Sequence, residues 1–116
     1  MDKQEFIELV RQFVVESTIN GTGSVLTSPP GRSPHKDLVE VSKWFNNLGN
    51  VDKENVIKVI RRAVEGSVFS FLCVLDGVRA IESGPDRGIL RLLYVKDGKE
   101  VVLNDENDGY DLHDLL

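Results

Sequence analysis

The residues of this chain that could do chemistry crowd into positions 100–116. Glu100, Asp105, Glu106, Asp108, Asp111 and Asp114 lie there with no Lys or Arg among them, so the stretch carries six negative charges. Carboxylates at that density suit three tasks: holding a divalent cation, acid–base catalysis, or meeting a basic surface. A calcium loop opening at Asn104 puts Glu106 third, Asp108 fifth and Gly109 sixth, as such a loop requires. The twelfth position then falls on Leu115, where a bidentate Glu belongs, so the pattern breaks at its main ligand. His113, between Asp111 and Asp114, has the makings of an acid/base pair or half a metal site. The plain expectation for a His in a C-terminal turn is exposure to solvent.

Elsewhere the chemical signals are weaker. Cys73 is the only cysteine, which excludes an internal disulfide, and its neighbours Phe71, Leu72, Val74 and Leu75 mark it as a small buried hydrophobe. Gly21-Thr22-Gly23-Ser24 resembles a phosphate cradle but lacks the preceding strand and the Gly-Lys-Ser/Thr that such a loop needs. His35 has no ligand partner at metal-binding spacing and reads as solvent-facing. No Gly-x-Ser-x-Gly elbow occurs. No enzyme signature emerges, and no cofactor or metal is expected.

Charge placement is more informative than net charge. The chain of 116 residues has a formal charge of −5, and outside the last seventeen residues it holds 13 acids against 14 bases. The whole excess therefore sits at one end. A nucleic-acid backbone would be repelled there, and the rest offers no basic stripe, so nucleic acid is a poor partner. A basic protein surface is the better one, because complementary charge speeds encounter and sets register. In size and charge the chain is similar to bacterial immunity proteins, which neutralise basic nuclease toxins. That likeness implies a non-catalytic protein-binding domain with Asp105, Glu106, Asp108, Asp111 and Asp114 on the partner and Tyr110 as a packed anchor. The alternative is a small enzyme or ligand-binding domain with a pocket between helices and sheet, for which Trp44, Arg62, Tyr94 and His113 are the residues to watch.

These residues need a scaffold, and periodicity supplies one. Asp2 and Glu5 have capping-box spacing, and Phe6, Leu9, Val10, Phe13 and Val14 form a stripe, predicting a helix over Lys3–Ser17. Residues 20–34 read as a loop rich in Gly, Ser, Thr and Pro. Ser33-Pro34 opens a second helix through Leu38, Val41, Trp44, Phe45 and Leu48, with Trp44 expected as a core anchor. A long central helix starts at Asp52, carries Val56, Ile60, Ala63, Val64, Val68, Phe71, Leu72 and Leu75 inward, and ends at a Gly77 cap. Gly66 leaves a second possibility, a strand over residues 67–75, but the spacing of three and four persists and favours helix.

Three strands are then expected: Val78–Glu82, Ile89–Val95 and Glu100–Leu103, the last two joined by the Asp97-Gly98 turn. A short C-terminal helix docks through Tyr110, Leu112, Leu115 and Leu116. The expected fold is thus a single α+β domain over 1–116, with three N-terminal helices packed on a three-stranded antiparallel meander. The longest uncharged apolar run, Gly66 to Leu75, is too short to cross a membrane. The acidic N-terminus lacks a secretion signal, so a cytoplasmic location is expected, as monomer or homodimer.

Overall fold

The structure, a computed structural model, describes all 116 residues. It is a mixed α+β arrangement dominated by helix. Helix α1 (Lys3–Val10) passes through a π-helical segment (Arg11–Glu16) into α2 (Ser17–Thr27). Then come α3 (Lys36–Asn46), α4 (Asn50–Leu75), strands β1 (Leu93–Lys96) and β2 (Lys99–Val102), and α5 (Leu112–Leu115). No helix is long and apolar enough to cross a membrane. Packing divides the chain into two bodies, one of Met1–Gln12 with Gly66–Leu116, the other of Phe13–Glu65.

The helical body differs from the sequence expectation at several points. Phe13 and Val14, expected on the apolar stripe, are 66% and 45% exposed, and Val15 is buried instead, because the π-helical segment shifts the inward face. Residues 20–27 are helix, although Gly21 and Gly23 disfavour it. Tertiary contacts override that propensity: Ile19 and Leu26 are buried, and a Cβ at Gly23 would lie 3.4 Å from Ile57 Cδ1. Helix α2 packs chiefly along α3. The helix stops where Ser28 turns extended ahead of Pro29, the conformation that a following proline favours. Helix α3 starts later than expected, with His35 rather than Ser33 as its cap; His35 Nδ1 accepts from Asp37 N at 3.2 Å. Trp44 is not a core anchor. It is 55% exposed, whereas the adjacent Phe45 is buried. Asn46 explains the rotation: its Nδ2 donates to Thr27 O at 3.0 Å and to Ser42 Oγ, which turns Ser42 and Phe45 toward α2 and Trp44 to solvent.

The mixed body has its core at Ile7, Leu72 and Leu112, with Phe6, Val68, Leu75, Leu92, Leu115 and Leu116 packed around them. Residues 67–75 are helix, as their spacing predicts. The helix closes as a Schellman motif: Gly77 adopts φ 76°, Val78 N donates to Cys73 O and Gly77 N to Val74 O. The expected three-stranded meander is a two-stranded hairpin, with Leu93 opposite Val102 and Lys96 opposite Lys99. Asp97 (φ 52°) and Gly98 (φ 73°) form its tight turn.

Residues 78–82 form no strand, and the ordered β1 starts at Leu93 rather than Ile89. On the strand side Asn104 closes the ladder beyond β1: its Oδ1 accepts from Leu92 N, and its Nδ2 donates to Leu90 O and Leu75 O. On the other side, residues 82–88 close on themselves, with Glu82 accepting from Gly88 N and Arg87 Nε donating to Gly84 O.

Candidate functional site

The acidic segment is shaped by a lysine that belongs to α1. Lys3 is 7% exposed, and its Nζ donates to Asp105 O at 2.9 Å, Asp108 O at 2.8 Å and Tyr110 O at 2.6 Å. Three acceptors take all three ammonium protons, so the buried charge is fully hydrogen-bonded. Asp105 Oδ1 accepts from Asn107 N and closes the loop locally. The result is a loop whose carbonyls turn inward to a cation, while Glu106, Asp108 and Tyr110 remain exposed.

Lys3 is the first of three residues spaced one helical turn apart. Ile7, four positions on, is 1% exposed in the core with Leu112. Four further, Arg11 Nη2 donates to Leu115 O at 2.8 Å and to Leu116 O. One stripe of the N-terminal helix thus binds the C-terminal segment at both ends and its middle.

The second anchor is Asp76, at the end of α4, whose side chain is 1% exposed. Its Oδ2 accepts from His113 N at 2.9 Å and meets His113 Nδ1 at 2.8 Å. His113 Nε2 lies 3.4 Å from Asp114 Oδ1, and the ring meets Phe69 edge-on at 5.7 Å. His113 is therefore not the solvent-exposed residue expected from its position; its side chain is 16% exposed. The buried carboxylate draws it in. Donor atoms of Asp111, His113 and Asp114 lie within 4.8 Å of one another and could hold a divalent cation. Both ring nitrogens already face carboxylates, so the arrangement is complete as a bridge between α4 and α5.

No family model matches this chain, and neither the curated proteins nor the solved structures include a significant match. The site is therefore read from its own chemistry.

Of the six residues expected to contact a partner, Glu106, Asp108, Tyr110 and Asp114 are exposed, while Asp105 and Asp111 are half-buried. Asp105 shapes the loop through Asn107, and Asp111 stands at the N-cap position of α5 without a side-chain capping bond. The residues of the alternative reading divide: Tyr94 and His113 belong to the mixed body, Trp44 and Arg62 to the helical one. Cys73 is buried, and burial, reinforced by the Asp76 charge, pushes its thiol pKa up, which keeps it protonated and unreactive.

Sequence reasoning missed Lys3 and Arg11. The available signal was their spacing with Ile7, a stripe of one apolar residue flanked by two cations. A cavity of about 350 Å³ lies in the mixed body, but none of Trp44, Arg62, Tyr94 and His113, the residues expected around a pocket, lines it; Arg79, Arg87, Arg91, Ile81, Ile89 and Glu82 are among its walls.

Proposed function

We propose that this protein is a non-catalytic protein-binding domain that holds a basic protein surface with its 105–114 segment. One observation carries the reading: the Lys3 ammonium takes the loop's carbonyls inward, so the loop is pre-shaped while the carboxylates of Glu106 and Asp108 and the ring of Tyr110 stay available. Pre-organisation lowers the entropy that a partner must overcome on binding. Tyr110, 69% exposed, supplies the aromatic anchor that such interfaces favour. A basic nuclease-like toxin, the target of immunity proteins of comparable size and charge, fits the partner chemistry.

The test has two stages. A tagged chain captures partners at low salt, and calorimetry then compares a captured basic protein against the wild type and a Glu106→Lys, Asp108→Lys variant. These two exposed positions leave the Lys3 cage and the His113 bridge intact. The expected loss is roughly 100-fold, since close complementary charges contribute strongly to such complexes. Unchanged affinity in the variant would refute the acidic-face mechanism.

A second reading, capture of a small molecule, is favoured by the 350 Å³ cavity with its three arginines. That volume lies within the usual range for ligand pockets, and Asp76, Glu82 and Glu106 line it beside the arginines, so a zwitterionic acid such as an amino acid suits it. A thermal-shift screen of amino acids distinguishes this reading from the first.

A further inference from the structure

The hairpin has an outer edge that is built to be paired. Leu103 N donates to Leu92 O at 2.8 Å, which makes Leu92 and Leu103 a hydrogen-bonded pair of the ladder. Alternation along the observed register then makes Tyr94–Val101 and Lys96–Lys99 hydrogen-bonded pairs too. The backbone N–H and C=O groups of Leu93 and Val95 consequently point away from β2. Their side chains are also open, 45% and 58% exposed. A two-stranded hairpin is marginal by itself, and an apolar edge without proline or bulge is a template for another strand.

We infer that β1 pairs antiparallel with β1 of a second copy of this chain, joining two hairpins into one four-stranded sheet across a two-fold axis. This goes beyond the proposed function and uses a different surface. Of the registers that two-fold symmetry allows, the one with its axis beside Tyr94 pairs both outward-facing residues of β1, Leu93 and Val95, with each other. Leu93 then faces Val95 of the second copy and exchanges two hydrogen bonds with it; the symmetric pair adds two more. Tyr94 faces its own copy. Arg91 comes level with Asp97 of the second copy, so opposite charges meet at both ends of the pairing. Apolar residues oppose apolar ones and cations oppose anions, and this complementarity identifies a second copy as the occupant. The β2 edge is less suited, because the equivalent pairing sets the Glu100 carboxylate against Val102 of the second copy.

Sedimentation equilibrium of the wild type tests the state, and cysteine cross-linking tests the register. Wild type is expected at twice the 13.0 kDa chain mass. In the Tyr94→Cys variant two thiols face each other across a non-hydrogen-bonded pair, with Cα atoms about 4.5 Å apart, within disulfide reach. Mild oxidation should convert it to covalent dimer, while Val95→Cys, two positions out of register with itself, should stay uncoupled. A wild type that remains a monomer at high-micromolar concentration overturns the inference. So does a dimer in which both cysteine variants cross-link equally, or neither does. Should Tyr94→Cys fail to fold by circular dichroism, Val95→Lys decides: a charged edge should yield monomer, and a persisting dimer refutes the pairing.

Discussion

Each body of this protein contains one prominent cation, and the two are used in opposite ways. In the mixed body, Lys3 is buried and gives its three protons to backbone carbonyls, with no carboxylate in direct contact. In the helical body, Arg61 has a side chain 41% exposed and binds both oxygens of Glu16, at 2.6 and 3.0 Å, with Glu65 as a second partner at 3.2 Å. Arg61 consumes carboxylates to tie the start of α2 to α4. Lys3 orders an acidic loop without consuming any, which leaves that loop's negative charge available. Desolvation also sets the energetics apart. Orphaned buried carbonyls pay the full cost of lost hydrogen bonds, whereas a solvent-facing ion pair exchanges easily with water and salt.

The comparison breaks most sharply at Lys3. Lys3→Met keeps the aliphatic stem but strips the donors from three carbonyls. An unsatisfied buried group costs roughly 1–3 kcal/mol, but these carbonyls belong to half-buried or exposed residues that water can reach, so a net loss of about 2 kcal/mol is expected in urea unfolding. Hydrogen exchange of the 105–110 amides should rise with it. A loss that shrinks when salt is added would show that Lys3 acts as a charge rather than as a donor, and the contrast with Arg61 would fail.

Asn104 sharpens the same point with a neutral residue. It is 5% exposed and makes three hydrogen bonds that join Leu75, Leu90 and Leu92. Asn104→Ala should cost about 2 kcal/mol and be as insensitive to salt as Lys3→Met. Fraying of the hairpin, seen as weakened amide protection at Leu92 and Leu103, is the local sign.

How far these features could be read in the sequence follows from the range of the forces involved. Phe71, expected inward on the α4 stripe, is 62% exposed, so that stripe was legible only in part. The Asp2 cap, the helix over residues 67–75, the Gly77 stop and the Asp97-Gly98 turn depend on neighbours within one or two turns of chain. All were legible. The helix over residues 20–27 was not, because its support comes from α3, where Asn46, 19 positions on, donates to Thr27 O. Trp44 and Phe45 are adjacent aromatics, and which of them faces inward depends on how α3 packs on α2, where Asn46 bonds Thr27. For the candidate site, the acidic composition was plain, and so was the exposure of Glu106 and Asp108. The cage was invisible, since Lys3 and Asp105 lie at opposite ends of the chain and the acceptors are carbonyls that every residue possesses. His113 was misplaced for the same reason: its determinant, Asp76, is 37 positions away.

The smallest effect is expected at the Arg61–Glu16 pair, and pH isolates it. The Arg61 guanidinium hydrogen-bonds the Glu16 carboxylate and holds its pKa below the ordinary value of 4.5, while Glu16 and Glu65 push that of Arg61 further up. Arg61 is thus charged throughout, and only Glu16 titrates. A carboxyl group with a depressed folded-state pKa stabilises the fold above its unfolded value and loses that contribution as pH falls through the folded value. Glu16→Gln should therefore lower stability slightly at neutral pH, with the difference from wild type fading below about pH 4.5. Added salt should shrink the difference as well, because a half-exposed pair is screened. Lys3→Met should show neither dependence across the same window. A Glu16→Gln deficit that persists unchanged into acid would mean that Glu16 acts by packing its stem rather than by its charge, and the two cations would then differ in burial alone.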